Sequence, residues 1–411
     1  MRPSLGLRDA SPVLSASASR PGHPGLGIPQ SVGGARSDDV VTRYEQAFAV
    51  EVGATHAVAF AYARNALTAI LHALGLVPGD GVVLSPLTCK VVPLALLGAG
   101  FRPVYADIRK GGLNLDAASA RAAGAEPRAI LFQHTYGLTD GAAAVAQVAQ
   151  QHGLPLIEDC AQCMPEAGAG KAGTFGAASI YSNNPGKPLP SGSGGLAVLR
   201  DPSLAARVRA RRDDLPVRGA AASLALRLEN TIRNRLPHAL YWPAYELHGR
   251  LRGRETRDTL TREIAREVLA TSVRITPADA ARGERWLGRI GSLRAHRAAC
   301  CAAYESALSA APGIDHVGRG AGTALYYYPV LVDNKDELLQ RARRRGVQLV
   351  AWPIRTPIYP VEDESMLPRY GYQPGTCPIA EETARRLIGL PTDLATDRRA
   401  IERVVATLCE Q

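Results

Sequence analysis

Between His56 and Glu158 short apolar runs alternate with helix-length segments, and this alternation constrains the fold more than any other feature of the chain. His56–Ala61, Val82–Leu84, Arg102–Ala106, Ala129–Gln133 and Pro155–Glu158 read as strands. Ala66–Leu74, Lys90–Leu97 and Ala142–Gln151 read as helices, and a further helical pattern starts at Val40 and runs through Tyr44 and Phe48. Elements of these lengths imply a mostly parallel sheet with helices on both faces, a three-layer α/β/α domain. Ligands of such sheets sit beyond the carboxyl ends of the strands.

At 411 residues the chain exceeds one ordinary core, and its character changes after Arg200. Residues 200–300 hold nearly half of the arginines and read mostly as helix, with a long helical pattern from Pro277 to Leu308. Tyr326–Val332 and Val347–Trp352 then read as strands, and Lys335–Arg345, Ala380–Leu387 and Asp397–Leu408 as helices, a smaller α+β domain. The expected organisation is a flexible Ser/Gly/Pro-rich arm at 1–36, a large domain at 37–215, an Arg-rich, mostly helical connection at 216–270 and a small C-terminal domain at 271–411. Within the connection, the aromatic and Pro-containing stretch Leu236–Leu251 suits a substrate lid, a dimer contact or a peripheral membrane element.

Lys plus Arg is 48 against 38 acids, a formal charge of +10, and almost all of the basic side is arginine. No interleaved aromatics, zinc spacing or helix-turn-helix pattern accompanies the arginines, so no nucleic-acid partner is expected. The arm lacks the apolar core of a secretory signal, and Val91–Phe101 falls short of the about 20 residues a membrane span needs. Seven cysteines do not make a disulfide framework, which points to a reducing, cytoplasmic setting. Cys160 and Cys163 form a C-x-x-C without a second pair at zinc spacing, so they read as buried packing and no metal is expected.

The chemistry concentrates in Leu156–Ala197. An acid, Asp159, ends a buried strand, and a lysine, Lys187, follows in a Gly/Pro-rich turn. Singly, the acid reads as a strand-end cap and the lysine as an exposed loop residue. Together they suit pyridoxal 5′-phosphate (PLP, or PMP once aminated), which needs a lysine amine for its aldehyde and a carboxylate against its pyridine nitrogen. Gly192, Gly194 and Gly195 let the chain return close to the cofactor without Cβ clashes. Lysine occurs elsewhere only at 90, 110, 171 and 335, so a catalytic amine has few competitors.

These residues reach a known family. The chain from about Tyr44 onward resembles the DegT/DnrJ/StrS-type sugar aminotransferases, PLP enzymes of the aspartate-aminotransferase fold (fold type I). The match runs through Glu158-Asp159-Cys160-Ala161-Gln162, Ser182, Pro185, Lys187 and Gly192-Ser193-Gly194-Gly195. Upstream lie Gly79-Asp80, Ser85-Pro86-Leu87-Thr88, Asp107 and His134-Thr135-Tyr136-Gly137; downstream lie Cys377-Pro378-Ile379-Ala380-Glu381-Glu382 and Leu390-Pro391.

The resemblance implies that Lys187 holds the cofactor as a Schiff base and moves protons, Asp159 pairs with the pyridinium, Gln162 bonds the ring hydroxyl and Ala161 lies against one ring face. Ser182 donates to the phosphate, and Ala63 and Arg64 open a helix whose N–H groups and dipole receive it. It also implies a homodimer with a shared active site, an amino-acid donor and a keto-sugar acceptor, with nitrogen passed in a ping-pong scheme. His134 reads as a core histidine or a substrate contact, and Arg355 and Tyr359, with Trp352, occupy substrate-side positions. Cys89 stands where the family commonly stacks an aromatic on the ring, Ser272 where an asparagine reaches the partner subunit's phosphate, and Ser193 where the glycine run carries an acid. The alternative within PLP chemistry is dehydration or another elimination on a sugar or secondary metabolite; the family's sugar dehydratases replace the lysine with histidine, and Lys187 is present. A binding-only descendant is expected to have lost Lys187 or Asp159, and both remain.

Overall fold

The computed structural model describes residues 37–122, 127–184, 186–219, 260–318 and 323–410. The arm at 1–36 and most of the 216–270 connection, Leu236–Leu251 included, lie outside the described residues. The first helix, α1 (Ser37–Glu51), precedes β1 (His56–Phe60), and α2 (Ala63–Ala73) follows it. Then come β2 (Gly81–Leu84), β3 (Thr88–Cys89), β4 (Arg102–Tyr105), β5 (Pro127–Gln133), β6 (Leu156–Asp159), β7 (Ala178–Ser182) and β8 (Gly195–Leu199). Seven of these form one sheet in the order β1-β8-β7-β6-β5-β2-β4. β4, β2, β5, β6 and β7 are mutually parallel, and β8 runs antiparallel to both of its neighbours.

The two-residue strand period explains why both faces need helices. Val82, Leu84, Leu131 and Ile157 pack with α2 and the helix Pro202–Asp213 on one face. Val83, Ile130, Phe132 and Leu156 turn to the other face, against the helix Ala142–Gln151. At the β1–β8 end of that second face, α1 and the helix Pro277–Leu287 cover Ala57, Ala59, Leu196 and Val198. Every strand residue of β2, β6, β7 and β8 is buried, as a sheet covered twice requires.

The smaller α+β part holds an antiparallel sheet of Ile314–His316, Tyr327–Val332 and Leu387–Pro391, with a core of its own. A short parallel pair, Ile358–Tyr359 on β3, joins it to the wall of the large sheet. No helix among the described residues is long and apolar enough to cross a membrane.

The structure departs from the sequence expectation at definite places. The helical pattern from Pro277 to Leu308 is two helices, Pro277–Leu287 and Ile290–Leu308, broken at Gly288-Arg289 so that Leu287 and Ile290 both bury in the α1 cluster. Val347–Trp352 is not a strand: it makes a single bridge, Val350 to Gly389. The pairing it lacks goes to Leu387–Pro391, which the helix Pro378–Arg386 leaves free to lie along Tyr327–Val332. β7 and β8 are also strands that the periodic pattern does not announce, because neither face of them alternates with solvent.

Candidate active site

The carboxyl ends of β5, β6 and β7 open into a cavity of about 210 Å³. Ala63, Arg64, Cys89, Asp159, Ala161, Gln162, Ser182 and Lys187 all line it, joined by Gln133 and Asn184. Asp159 is the last residue of β6 and is buried; its Oδ1 accepts the Ala161 N–H at 2.9 Å, its one hydrogen bond by side chain among the described residues. Burial pushes this carboxyl above its ordinary range, while the Ala161 N–H, Lys187 and His134 pull it back. A buried carboxyl in this condition suits a cationic ligand. Gln162 is fixed as a donor toward the cavity, because its Oε1 accepts the Tyr136 N–H at 2.7 Å and its Nε2 therefore remains.

The opposite end of the cavity is built for an anion. α2 starts at Ala63, and its N-cap Tyr62 is extended and makes no side-chain cap; Tyr62 O accepts the Asn65 N–H at 3.1 Å, so the N–H groups of Ala63 and Arg64 remain for a ligand. Arg64 is largely buried with its guanidinium 4.1 Å above the Tyr62 ring, and it donates to Thr271 Oγ1 at 2.8 and 3.1 Å. It has no carboxylate partner among the described residues, and burial pulls it below its ordinary value. Gly195 is what brings the helix start in: a Cβ there would lie 2.1 Å from Ala63 N and 2.3 Å from Tyr62 C. Its role is close approach of two backbones under the helix start, and contact with the cofactor is not the reason for it. Gly195→Ala is expected to cost about 3 kcal/mol or more, the upper end of overpacking penalties, read as a lower midpoint in chemical unfolding.

Beneath the floor lies a residue whose importance a linear reading misses. Glu158 is fully buried and accepts four hydrogen bonds: His134 Nε2 at 2.8 Å and the N–H groups of Gly173, Phe175 and Gly176, each at 2.7 Å. Through Gly173, Phe175 and Gly176 it ties the far end of the loop after Asp159 back to β6. Glu158→Ala strands three backbone donors and the imidazole, and on the order of 3 kcal/mol of stability is expected to go, measured by thermal or urea unfolding. Cys160 lies within ligand distance of His134 and Glu158. The trio offers an ion little, because both carboxylate oxygens of Glu158 and both imidazole nitrogens of His134 already have partners.

Four of the named residues do not line this cavity. His134 is fully buried, with Nδ1 on Leu138 O at 3.1 Å and Nε2 on Glu158, the position of a core histidine, one of its two readings. Arg355 is exposed and pairs at 3.1 Å with Asp336, an acid on the preceding helix Lys335–Arg344 that local spacing does not reveal. Tyr359 also stays outside the lining; it pairs with Cys89 in register, and its carbonyl accepts the Lys90 N–H at 2.7 Å. Ser272 lines a separate cavity of about 270 Å³ on the other side of α2 and donates to Val268 O. Cys160 and Cys163 are buried free thiols, as are most of the seven cysteines, none of which is in a disulfide.

A lysine and a carboxylate sharing one cavity with an uncapped helix start, at the carboxyl edge of a mostly parallel sheet, define a PLP-type transferase site. A model of the DegT/DnrJ/EryC1/StrS aminotransferase family matches residues 33–409, and the chain belongs to that family. The family's cofactor is pyridoxal 5′-phosphate. The chain is 35% identical over 174 residues to L-glutamine:2-deoxy-scyllo-inosose aminotransferase of Streptomyces paromomycinus, a match covering 42% of this chain and 41% of that protein. It is 27% identical over 373 residues to dTDP-3-amino-3,4,6-trideoxy-alpha-D-glucose transaminase of Streptomyces venezuelae, covering 89% of this chain and 86% of the relative. Among solved structures, DesI in the presence of its TDP-sugar product superimposes with a TM-score of 0.68 at 25% identity, over 90% of this chain and 84% of that one.

Proposed function

We propose that this protein is an aminotransferase that moves an amino group from an amino acid to the keto group of a sugar or sugar-like substrate, nucleotide-linked in the leading case, in two successive half-reactions. The observation that carries the proposal is the single cavity holding Lys187, Asp159, Gln162, Arg64 and the uncapped start of α2. The donor set fits PLP: cation and N–H groups at one end for a phosphate, and a buried carboxyl at the other for a ring cation. When bound, the cofactor stores the amino group between the two half-reactions and takes up electrons from the reacting carbon.

The roles follow from position. Ala63, Arg64 and Ser182 bind the phosphate, and Asp159 carries the charge opposite the ring nitrogen. Gln162 Nε2 would be the donor available to a ring oxygen, and Ala161 and Cys89 would be the side chains against the ring. Lys187 would hold the cofactor through its Nζ, the one lysine amine lining the cavity, and would serve there as the group that carries a proton. The catalytic unit in this proposal is a homodimer in which Ser272 faces the partner subunit, and Tyr359 with Arg355 approaches the acceptor from the small domain. Residues 37–215 and 271–411 are its large and small domains, and its setting is cytoplasmic.

Adding PLP to the purified protein is expected to produce a visible absorbance band. An amino donor should bleach it, and a keto-sugar should restore it with release of the amino-sugar. No band with PLP, or loss of water from the sugar without nitrogen transfer, overturns this reading; the second result is the one that dehydration predicts. Lys187 in place of histidine favours transamination.

A further inference from the structure

The turn that carries Lys187 is held from outside the cavity. Gly186 has φ +78, a left-handed conformation, and the turn closes on itself through Lys187 N–H to Asn184 O at 3.1 Å. Gly186 O accepts the hydroxyl of Tyr326, the residue just before the strand Tyr327–Val332 of the small sheet. Among the described residues this is the one side-chain hydrogen bond that residues 184, 186 and 187 receive from another element. The direction of the bond is determined, because Tyr327 Oη donates to Tyr326 Oη at 3.1 Å and leaves the Tyr326 proton for the carbonyl.

Tyr326 is itself fixed at every polar atom. Its N–H donates to Tyr136 O at 2.8 Å, and Tyr136 in turn gives its own N–H to Gln162 Oε1 at 2.7 Å. Its carbonyl accepts Arg297 Nη1 and Thr392 Oγ1, both at 2.8 Å, and the buried Arg297 guanidinium lies 5.7 Å from its ring. Tyr136 carries the one positive φ of a non-glycine residue among the described residues, +57, which is a local strain maintained by its surroundings. One residue at the edge of the small sheet thus reaches two groups of the cavity, Lys187 through Gly186 and Gln162 through Tyr136. Neither Tyr326 nor Tyr136 lines the cavity.

We infer that Tyr326 is a positioning residue for Lys187: its hydroxyl sets the turn so that Nζ projects into the cavity at the reactive angle. The inference rests on the proposed role of Lys187 and adds a second-hand determinant of its geometry. A turn containing a left-handed glycine is soft. Without the Tyr326 hydroxyl, Nζ samples a wider range, and misplacement of a reacting atom by about 1 Å costs up to about 100-fold in rate.

The test uses the full chain. Apoprotein is mixed with PLP, samples are quenched with borohydride at intervals, and the label at Lys187 is quantified by mass spectrometry. Tyr326→Phe, which keeps the ring and removes only the hydroxyl, is expected to slow labelling of Lys187 about tenfold. It should also displace the midpoint of the cofactor band in a pH titration and lower kcat with little change in donor KM. Tyr328→Phe is the control: its hydroxyl pairs with His316 Nδ1 at 3.0 Å in the core of the small domain, so it loosens the same strand away from the site. It should leave labelling and the pH midpoint as in the wild type. Wild-type labelling kinetics in Tyr326→Phe, or equal slowing in both variants, overturns the inference while the cofactor reading stands. A wild type that is not labelled at Lys187 overturns the cofactor reading, and with it this one.

Discussion

Lys187→Ala is expected to remove the visible band of the reconstituted protein and to lower turnover by about 10² to 10⁴-fold, the range of a lost acid–base group. The same variant should leave no borohydride-trapped label on any other lysine. The competitors are few, and none of them lines the cavity. Lys90 is buried in an ion pair with Glu263 at 2.9 Å, and Lys171 lies on the surface beside Glu166. Lys335 is the serious rival, because burial pulls its ammonium down to about 7 and makes it a nucleophile at neutral pH. A search for perturbed lysines would choose it. Its Nζ, however, donates to Pro353 O and Ala384 O, both at 2.7 Å, inside the small domain and outside the cavity. Geometry therefore ranks above titration here. Label found on Lys335 in place of Lys187, or a band that survives Lys187→Ala, sinks the assignment.

What the linear sequence disclosed and what it hid follow from the range of the interactions involved. Asp159, Ala161, Gln162, Ser182 and Lys187 lie within one stretch of chain, and strand ends of a parallel sheet deliver such a stretch to one edge. Ala63, Arg64 and Cys89 reach the same cavity from β1 and β3, and the family pattern places them there. The buried His134–Glu158 pair, by contrast, depends on two neighbouring strands being in register, Gln133 opposite Asp159. Arg355 is spoken for by Asp336 across a helix start, and nothing near it in sequence says so. The reversed strand β8 and the strand Leu387–Pro391 are buried on both faces, where hydrophobic periodicity carries no information. Tyr326 escaped notice for a related reason: its link to the lysine turn crosses between the two sheets.

Asp159→Asn should act in opposite directions on the apoprotein and the complex. In the apoprotein burial raises the carboxyl of Asp159 above its ordinary value, so the folded state holds this proton to higher pH than the unfolded chain does. The stability contributed by the group is therefore complete below the unfolded pKa, near 4, and declines as pH rises through the folded value. Asparagine cannot ionise, and the variant apoprotein should melt higher than wild type at neutral pH, with the difference vanishing toward pH 4. With cofactor the sign reverses. A ring cation supplies the countercharge that the buried carboxylate lacks, and removing one partner of a buried pair costs about 3–5 kcal/mol. Cofactor affinity should accordingly fall by about two to four orders of magnitude, since 1.4 kcal/mol is tenfold in Kd. Absorbance titration with PLP and thermal melts between pH 4 and 8 measure both arms. An apoprotein that is destabilised by the substitution, combined with unchanged cofactor affinity, would mark Asp159 as an ordinary strand-end cap.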